Sequence, residues 1–413
     1  MLKSKLKEVL IAPVVVGALG YFVDIYDLVL FSIVRVQSLK ALGIEGDELL
    51  HQGVRLINMQ MGGMLVGGLF WGILGDKKGR ISVLFGSIFL YSAANIANAF
   101  VTTVDQYAWL RFIAGVGLAG ELGAAITLVS ETLSKENRGY GTTLIASVGI
   151  CGAILAGVIG EYLDWKIAYI IGGVLGLALL LLRIKMSESH MFSGLSDKQE
   201  IKRGDIKMLF TKRERLIKFC LCILIGVPVW FVIGILVTFS PELSRQLNVS
   251  GTITGGWAIL CTYAGLAIGD LSSGLLSQWV GSRRRIVGLY LMITGFLIAV
   301  YGQLDGVTPF TFYSICFLLG VGTGYWALFV TIAAEQFGTN LRSTIATSAP
   351  NFVRGSVVPL TESFRAIASL SLFSGGLIRS AMIVGFASVV IALLALWKMP
   401  ETYGKDLDYF EID

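Results

Sequence analysis

The chain has 413 residues, of which 55% are hydrophobic and only 15% charged, with a formal net charge of +5 and a mean hydropathy of +0.75. A soluble enzyme, a disordered chain and a secreted disulfide scaffold are excluded, because soluble domains carry about 25% charged residues and cannot hide this much apolar surface. A spanning helix needs about 20 apolar residues, so twelve of them with short connections account for the length.

Apolar windows fall in chain order at 10–34, 55–75, 81–101, 107–132, 140–160 and 165–184. After a polar stretch they resume at 216–241, 252–280, 285–303, 309–334, 343–370 and 374–397. Backbone groups in lipid must be satisfied within their own segment, so each window is predicted to be a helix. The expected architecture is all-α and integral to the membrane, with twelve transmembrane helices in two pseudo-symmetric six-helix bundles. Residues 1–184 would form the first bundle, 185–215 a cytoplasmic linker, and 216–413 the second bundle with a short cytoplasmic tail. Basic loops (Lys3, Lys5 and Lys7; Lys77, Lys78 and Arg80; Lys135 and Arg138; the linker; Arg283 to Arg285; Arg342) alternate with weakly charged ones. That bias predicts both termini in the cytoplasm. The basic start lacks a small-residue cleavage site, so no cleavable signal peptide is expected. The halves repeat: Glu131 and Arg138 are seven apart after the fourth span, as are Glu335 and Arg342 after the tenth, and GILGDKKGR (72–80) parallels GLLSQWVGS (274–282). Such repeats imply a binding site at the midplane between them.

Charge inside a span is costly and usually faces a cavity. Asp24 and Asp27 of the first span stand three apart and share a helix face. Two desolvated carboxylates suit a proton carrier; the plainer alternative is a hydrated Asp27 at a cavity mouth. Asp76 and Arg80, after the second span, sit where a cytoplasmic latch would, with Glu131, Arg138, Glu335 and Arg342 as candidate partners. The alternative there is loop solubility and topology. Arg111 lies near the start of the fourth span and Glu121 near its middle, about 15 Å further along a straight helix. The two are too far apart to pair but line one broad face; a structural hydrogen bond is the other reading of Glu121. Asp270, near the cytoplasmic end of the eighth span, reads as a helix cap, a latch or a ligand.

The eleventh span is unusually polar. Asn351 and Arg354 share a face, and Arg365 lies about 20° off the same stripe. Glu362 and Arg365 read as an ion pair at the outer helix end. Arginine forks recognise carboxylate or phosphate, so Asn351 and Arg354 are expected to touch substrate. Pro350 and Pro359 are expected to break this span. The five cysteines have no metal or redox spacing and read as packing residues, and both histidines, His51 and His190, lie in polar connections. Neither a metal site nor an enzymatic centre is therefore expected at depth, and no phosphate loop or nucleic-acid motif is present.

The motifs carry a resemblance. Gly72-Ile-Leu-Gly-Asp76-Lys77-Lys-Gly79-Arg80 resembles the GxxxD(R/K)xGRR loop of the major facilitator superfamily. Arg111-Phe-Ile-Ala-Gly115-Val-Gly117-Leu-Ala-Gly120 is similar to its RxxxGxGxxG motif, and Pro400-Glu401-Thr402-Tyr-Gly404-Lys405 to the PETxG(K/R) ending of its sugar-porter branch. Asp24-Ile-Tyr26-Asp27 and Gly120-Glu121-Leu-Gly123 resemble motifs of the metabolite:proton symporter branch. Three positions depart from the patterns: Asp24 stands for Glu, Ile81 for a second Arg, and Gln278 for the Asp of the second-half loop. The fifth span also lacks the GPxxGG pattern of drug antiporters, with Ala153 where Pro would be.

The resemblance implies alternating access by a monomer, a cavity lined by the first, fourth, seventh and tenth spans, and Arg111 neutralising a first-span carboxylate. It makes Tyr26, Trp230, Tyr325 and Trp326 candidate substrate walls; singly, such rings more often pack or belt the interface. The expected function is proton-coupled import of a small polar metabolite, carboxylate-bearing or zwitterionic. Asp24, Asp27, Glu121 and Arg111 would handle the proton, and no cofactor is expected beyond the proton gradient of a bacterial inner membrane. The alternative is a uniporter or exporter of a sugar, siderophore or drug.

Overall fold

A computed structural model describes residues 11–78, 80–121, 123, 133, 138–183, 209, 211–370 and 376–404. The first six spans are α1 (Ala12–Ala41), α2 (Glu48–Lys78), α3 (Arg80–Asn98), α4 (Val104–Leu118), α5 (Arg138–Tyr162) and α6 (Trp165–Arg183). The second six are α7 (Arg213–Phe231, running into a π-helical turn Val232–Val237), α8 (Gly255–Val280), α9 (Arg283–Tyr301), α10 (Pro309–Thr323 and Trp326–Glu335), α11 (Thr339–Gly355 and Val357–Ser369) and α12 (Gly376–Lys398). A short helix, Ser240–Gln246, follows α7. Helix falls within every predicted window, and eight helices among the described residues are long and apolar enough to cross a membrane. Hydroxyl caps set several starts: Thr103, Thr254, Ser282 and Thr308 each accept from the backbone three residues on, meeting donors a helix start leaves open.

The repeat is visible in how the helices cross. A Cβ on Gly63 of α2 would collide with the Phe112 carbonyl of α4, and one on Gly115 of α4 with the Gln60 carbonyl of α2. In the second half Gly265 of α8 meets the Phe317 carbonyl of α10, and Gly320 of α10 meets the Thr262 carbonyl of α8. Each pair is reciprocal, backbone against backbone, and only glycine on both sides permits the approach. Cys222 and Cys316 are buried within the bundles, whereas Cys151 and Cys220 face outward.

Three spans depart from the straight helices their windows suggest. The helix of α4 ends at Leu118 and turns at Ala119 and Gly120 before helix resumes at Glu121; Gly120 abuts Ser87 and Trp71 there. The straight-helix relation of Arg111 to Glu121 therefore does not hold. In the same way α10 is two pieces, Pro309–Thr323 and Trp326–Glu335, interrupted where Gly324 lies against the backbone of Gly269. Span α11 is also two pieces, Thr339–Gly355 and Val357–Ser369, joined at Ser356. Pro359 sits in the first turn of the second piece, where its missing N–H costs nothing. Pro350 lies inside the first piece and does not break it, contrary to expectation.

Candidate functional site

At mid-depth in the second half, Arg354 is 1% exposed. Its guanidinium carbon lies 5.8 Å from the ring centre of Trp230 and 5.9 Å from that of Trp326, and the two indoles are 6.4 Å apart. Trp230 stands two residues after Pro228 inside α7, and Trp326 opens the second piece of α10 after its break. Nη1 of Arg354 donates to Asn351 Oδ1 at 3.4 Å. The Asn351 amide in turn donates to the Ala119 carbonyl of the other bundle at 2.9 Å and to the Thr347 carbonyl at 3.0 Å. The carbonyl freed by the α4 break is thus satisfied across the interface between halves. Asp24 and Glu121 face this group from the first half: their charges and that of Arg354 are the ones acting on one another here. The phenols of Tyr21 and Tyr263 border the same space.

A second cluster lies inside the first bundle. Arg111 is fully buried, donates to Asn95 Oδ1 at 2.7 Å and sits 5.1 Å over the ring of Tyr169. It is the cation facing Asp27, with Asn95 beside it. Asp27 packs against Gly172 of α6. No donor among the described residues reaches the carboxylate oxygens of Asp24 or Asp27 with hydrogen-bond geometry. One face of α1 therefore serves two surroundings: Asp24 turns to the interface between bundles, Asp27 into the first bundle.

Two of the expected substrate walls are tied elsewhere. Tyr26 donates to the Ala168 carbonyl at 2.9 Å, packed between α1 and α6. Tyr325 donates to the Ile225 carbonyl at 3.0 Å, fastening the α10 break to α7. Both are fully buried, and neither joins the aromatic frame of Arg354. Asp270 accepts from the Ala327 N–H at 3.1 Å, capping the second piece of α10 from α8. Arg365 does not share a groove with Arg354: beyond the Ser356 joint it pairs with Glu362 at 3.4 Å.

Of the gating candidates, Glu131 and the side chains of Asp76, Arg80, Arg138 and Arg342 lie outside the described residues. Glu335 pairs with Arg283 of α9 at 2.7 Å, a partner that spacing alone did not suggest. Beside it Glu401 accepts from the Ser282 hydroxyl and from the backbone N–H groups of Arg283, Arg284, Thr402 and Tyr403. Partial burial pushes the Glu401 carboxyl up, but the hydrogen bonds from Ser282, Tyr403, Arg283 and Arg284 outweigh it and hold it below its ordinary value. The PETxG tail thereby caps the N-terminus of α9.

At the end of the bundle reached by the C-termini of α1 and α7, the halves are joined by residues the sequence reading missed. Arg35, fully buried, donates to Glu242 at 2.7 Å, to the Thr238 carbonyl at 3.2 Å and to the Leu49 carbonyl at 3.4 Å, and lies 4.7 Å over Phe239. Thr238 donates to Ser32 at 3.0 Å. Asn58 donates to Glu362 at 2.8 Å and accepts from Thr361 at 2.6 Å. The one available signal was an arginine standing immediately after the first apolar window.

Known proteins resemble this chain in sequence and in fold. The family model of the Major Facilitator Superfamily matches residues 17–361. A niacin transporter of Acinetobacter baylyi is 26% identical over 380 residues, 84% of each chain. A 3-(3-hydroxy-phenyl)propionate transporter of Escherichia coli is 27% identical over 329 residues, 76% of this chain and 79% of that one. A crystal structure of a D-xylose-proton symporter superposes with a TM-score of 0.72 over 96% of this chain and 99% of that one, at 17% identity.

Proposed function

This chain belongs to the Major Facilitator Superfamily, and we propose that it is a proton-coupled importer of a small aromatic carboxylate. The observation that carries the reading is Arg354, a buried cation framed by two indoles and, through Asn351, seated at the interface between bundles. A guanidinium binds a carboxylate through its fork, and the indoles Trp230 and Trp326 offer flat apolar walls for a ring. Both relatives named above are described as transporters of aromatic carboxylic acids, which supports the same chemistry. Transport is the function of the whole family, and no enzymatic step is invoked.

The arrangement of charge suggests how a proton and a substrate are linked. Asp24 competes with an incoming carboxylate for Arg354. A proton on Asp24 removes that competition and leaves the guanidinium to the substrate. Linkage is reciprocal, so bound substrate favours the protonated site equally. Asp27, faced by Arg111 within the first bundle and one turn from Asp24, is the site through which the transported proton reaches Asp24. A monocarboxylate moving with one proton carries no net charge across the membrane. The end sealed by Arg35 and Glu242 is then the outer one, both termini are cytoplasmic, and the working unit is a monomer in a bacterial inner membrane that needs only the proton gradient.

The test is uptake of labelled nicotinate and of labelled 3-(3-hydroxyphenyl)propionate into proteoliposomes under an imposed pH gradient. Arg354→Lys keeps the charge but loses the planar fork and its stacking. With a cation–π contact of about 0.5–2 kcal/mol at stake on each indole, apparent affinity should fall roughly 10-fold or more. Unchanged affinity in Arg354→Lys, or accumulation that ignores the gradient, would overturn the proposal.

A further inference from the structure

The first bundle contains a hydrogen-bonded chain that the transport reading does not use. Tyr107 donates to Ser38 Oγ at 3.2 Å, and its oxygen lies 2.6 Å from that of Tyr169. Ser38 donates to the carbonyl of Arg35 at 3.1 Å. The Tyr107 proton is committed to Ser38, so Tyr169 is the donor to Tyr107. The Arg111 guanidinium lies 5.1 Å over the ring of Tyr169. The hydrogen bonds then all point one way, from Tyr169 through Tyr107 and Ser38 to the backbone of Arg35, with Arg111 seated on the ring where they begin. A one-way chain polarises cooperatively in a low-dielectric interior. All five residues are fully buried, and the rings of Phe31 and Trp165 pack edge-on against the tyrosines.

The two ends of this chain matter. Arg111 is the cation facing Asp27, and Arg35 is the cation that joins the halves through Glu242. Resting on the proton-coupled reading above, we infer that Tyr107 and Tyr169 are positioning residues that tie the proton site at Asp27 to the Arg35–Glu242 latch. When Asp27 is charged, Arg111 is drawn to it; when Asp27 is protonated, Arg111 is released toward Tyr169. That shift changes the hold on the Arg35 backbone, and the latch is the two-state element that both sites bias. The groups facing Asp27 are Arg111 from α4, Asn95 from α3, Tyr169 from α6, and Asp24 and Tyr26 on its own helix. Helix α5 meets this stretch of α1 through Gly152, against the backbone of Phe22 and Tyr26, and brings no charge there. Arg35 is faced by Glu242, with Glu48 and His51 beside Leu49 at the exposed start of α2.

The experiment reads the latch directly. Thr238 is fully buried beneath it, so a Thr238→Cys protein in proteoliposomes reacts with an impermeant maleimide only when the outer end opens. Labelling at residue 238 is quantified by mass spectrometry in acid and in mildly alkaline buffer, each rate being taken relative to that of the same thiol in the unfolded protein at that pH, because the thiolate is the reacting form. On this background the two rates should differ about fivefold or more, the scale of a typical coupling between sites. Asp27→Asn should flatten that response. Tyr107→Phe and Tyr169→Phe, which keep the rings and remove the hydroxyls, should flatten it too while retaining the parent melting temperature. A packing role alone would shift both rates together and leave their ratio intact. Ser38→Ala, a smaller change, serves if either phenylalanine variant fails to fold. A flat Asp27→Asn with a fully responsive Tyr107→Phe and Tyr169→Phe would overturn this inference and leave the proton site standing. An Asp27→Asn that responds like its parent, or a parent with no response, would overturn the proton reading and this inference with it.

Discussion

Replacing Glu242 by glutamine should open the outer end of the transporter. Arg35 has no exposed surface, and Glu242 is 13% exposed, so the pair works where water screens it weakly. The substitution removes the charge from a 2.7 Å bond yet leaves Arg35 its two backbone acceptors at Thr238 and Leu49. A hydrogen bond to a charged group contributes about 1.5–3 kcal/mol net, which corresponds to roughly 10- to 150-fold in an equilibrium constant. The charge-assisted bond is lost only in the state where the halves touch, because in the separated form both groups are hydrated. Nearly all of that difference should therefore appear as a shift toward the open form. Maleimide labelling of Thr238→Cys in the Glu242→Gln background should rise by about one to two orders of magnitude. Arg35→Met should raise it further, since three donated bonds are lost together. If Glu242→Gln leaves labelling at its parent rate, the pair does not hold the halves and the assignment of the outer seal is wrong.

Two further outcomes follow from the packing and the tail. Gly115→Ala places a methyl against the Gln60 backbone, which cannot yield as a side chain would; overpacking of this kind costs about 1–3 kcal/mol. Its thermal unfolding should fall by several degrees, whereas Gly62→Ala, which meets nothing within 4 Å, should unfold at the parent temperature. Glu401 has a folded-state pKa below its unfolded one, so it stabilises the protein above the ordinary carboxylate range and loses that contribution as pH falls through the folded value. At neutral pH the parent should melt above Glu401→Gln, being more stable by the about 0.5–2 kcal/mol that a helix cap supplies. The gap should close in acid below about pH 4, and a gap that is constant with pH would show that the carboxylate is not the cap.

The spans were legible because lipid demands one thing of every segment, a closed backbone ladder under an apolar surface. The polar residues of α11 were legible too: Arg354 and Asn351 do face the interface, and Trp230 and Trp326 do meet there. What the sequence hid was set by partners far along the chain. Asp24 and Asp27 share a helix face, yet the neighbours that separate them, Arg354 and Arg111, come from α11 and α4. Tyr26 and Tyr325 carry the right side chain for a binding wall, and only the carbonyls of Ala168 and Ile225 show where their hydroxyls go. The α4 turn at Ala119 and Gly120 depends on the close fit against Ser87 and Trp71 and on Asn351 from the other bundle. Arg35 escaped notice because its meaning rests wholly on Glu242, about half a chain away.

The most direct test is to follow substrate and proton in the same vesicles. Purified protein in proteoliposomes with an entrapped pH dye is given nicotinate outside, with no imposed gradient. The account predicts that substrate entry acidifies the interior, one proton per carboxylate, and that Asp27→Asn abolishes the dye signal. Tracer entry with no change in internal pH, in a protein that is otherwise active, would contradict it.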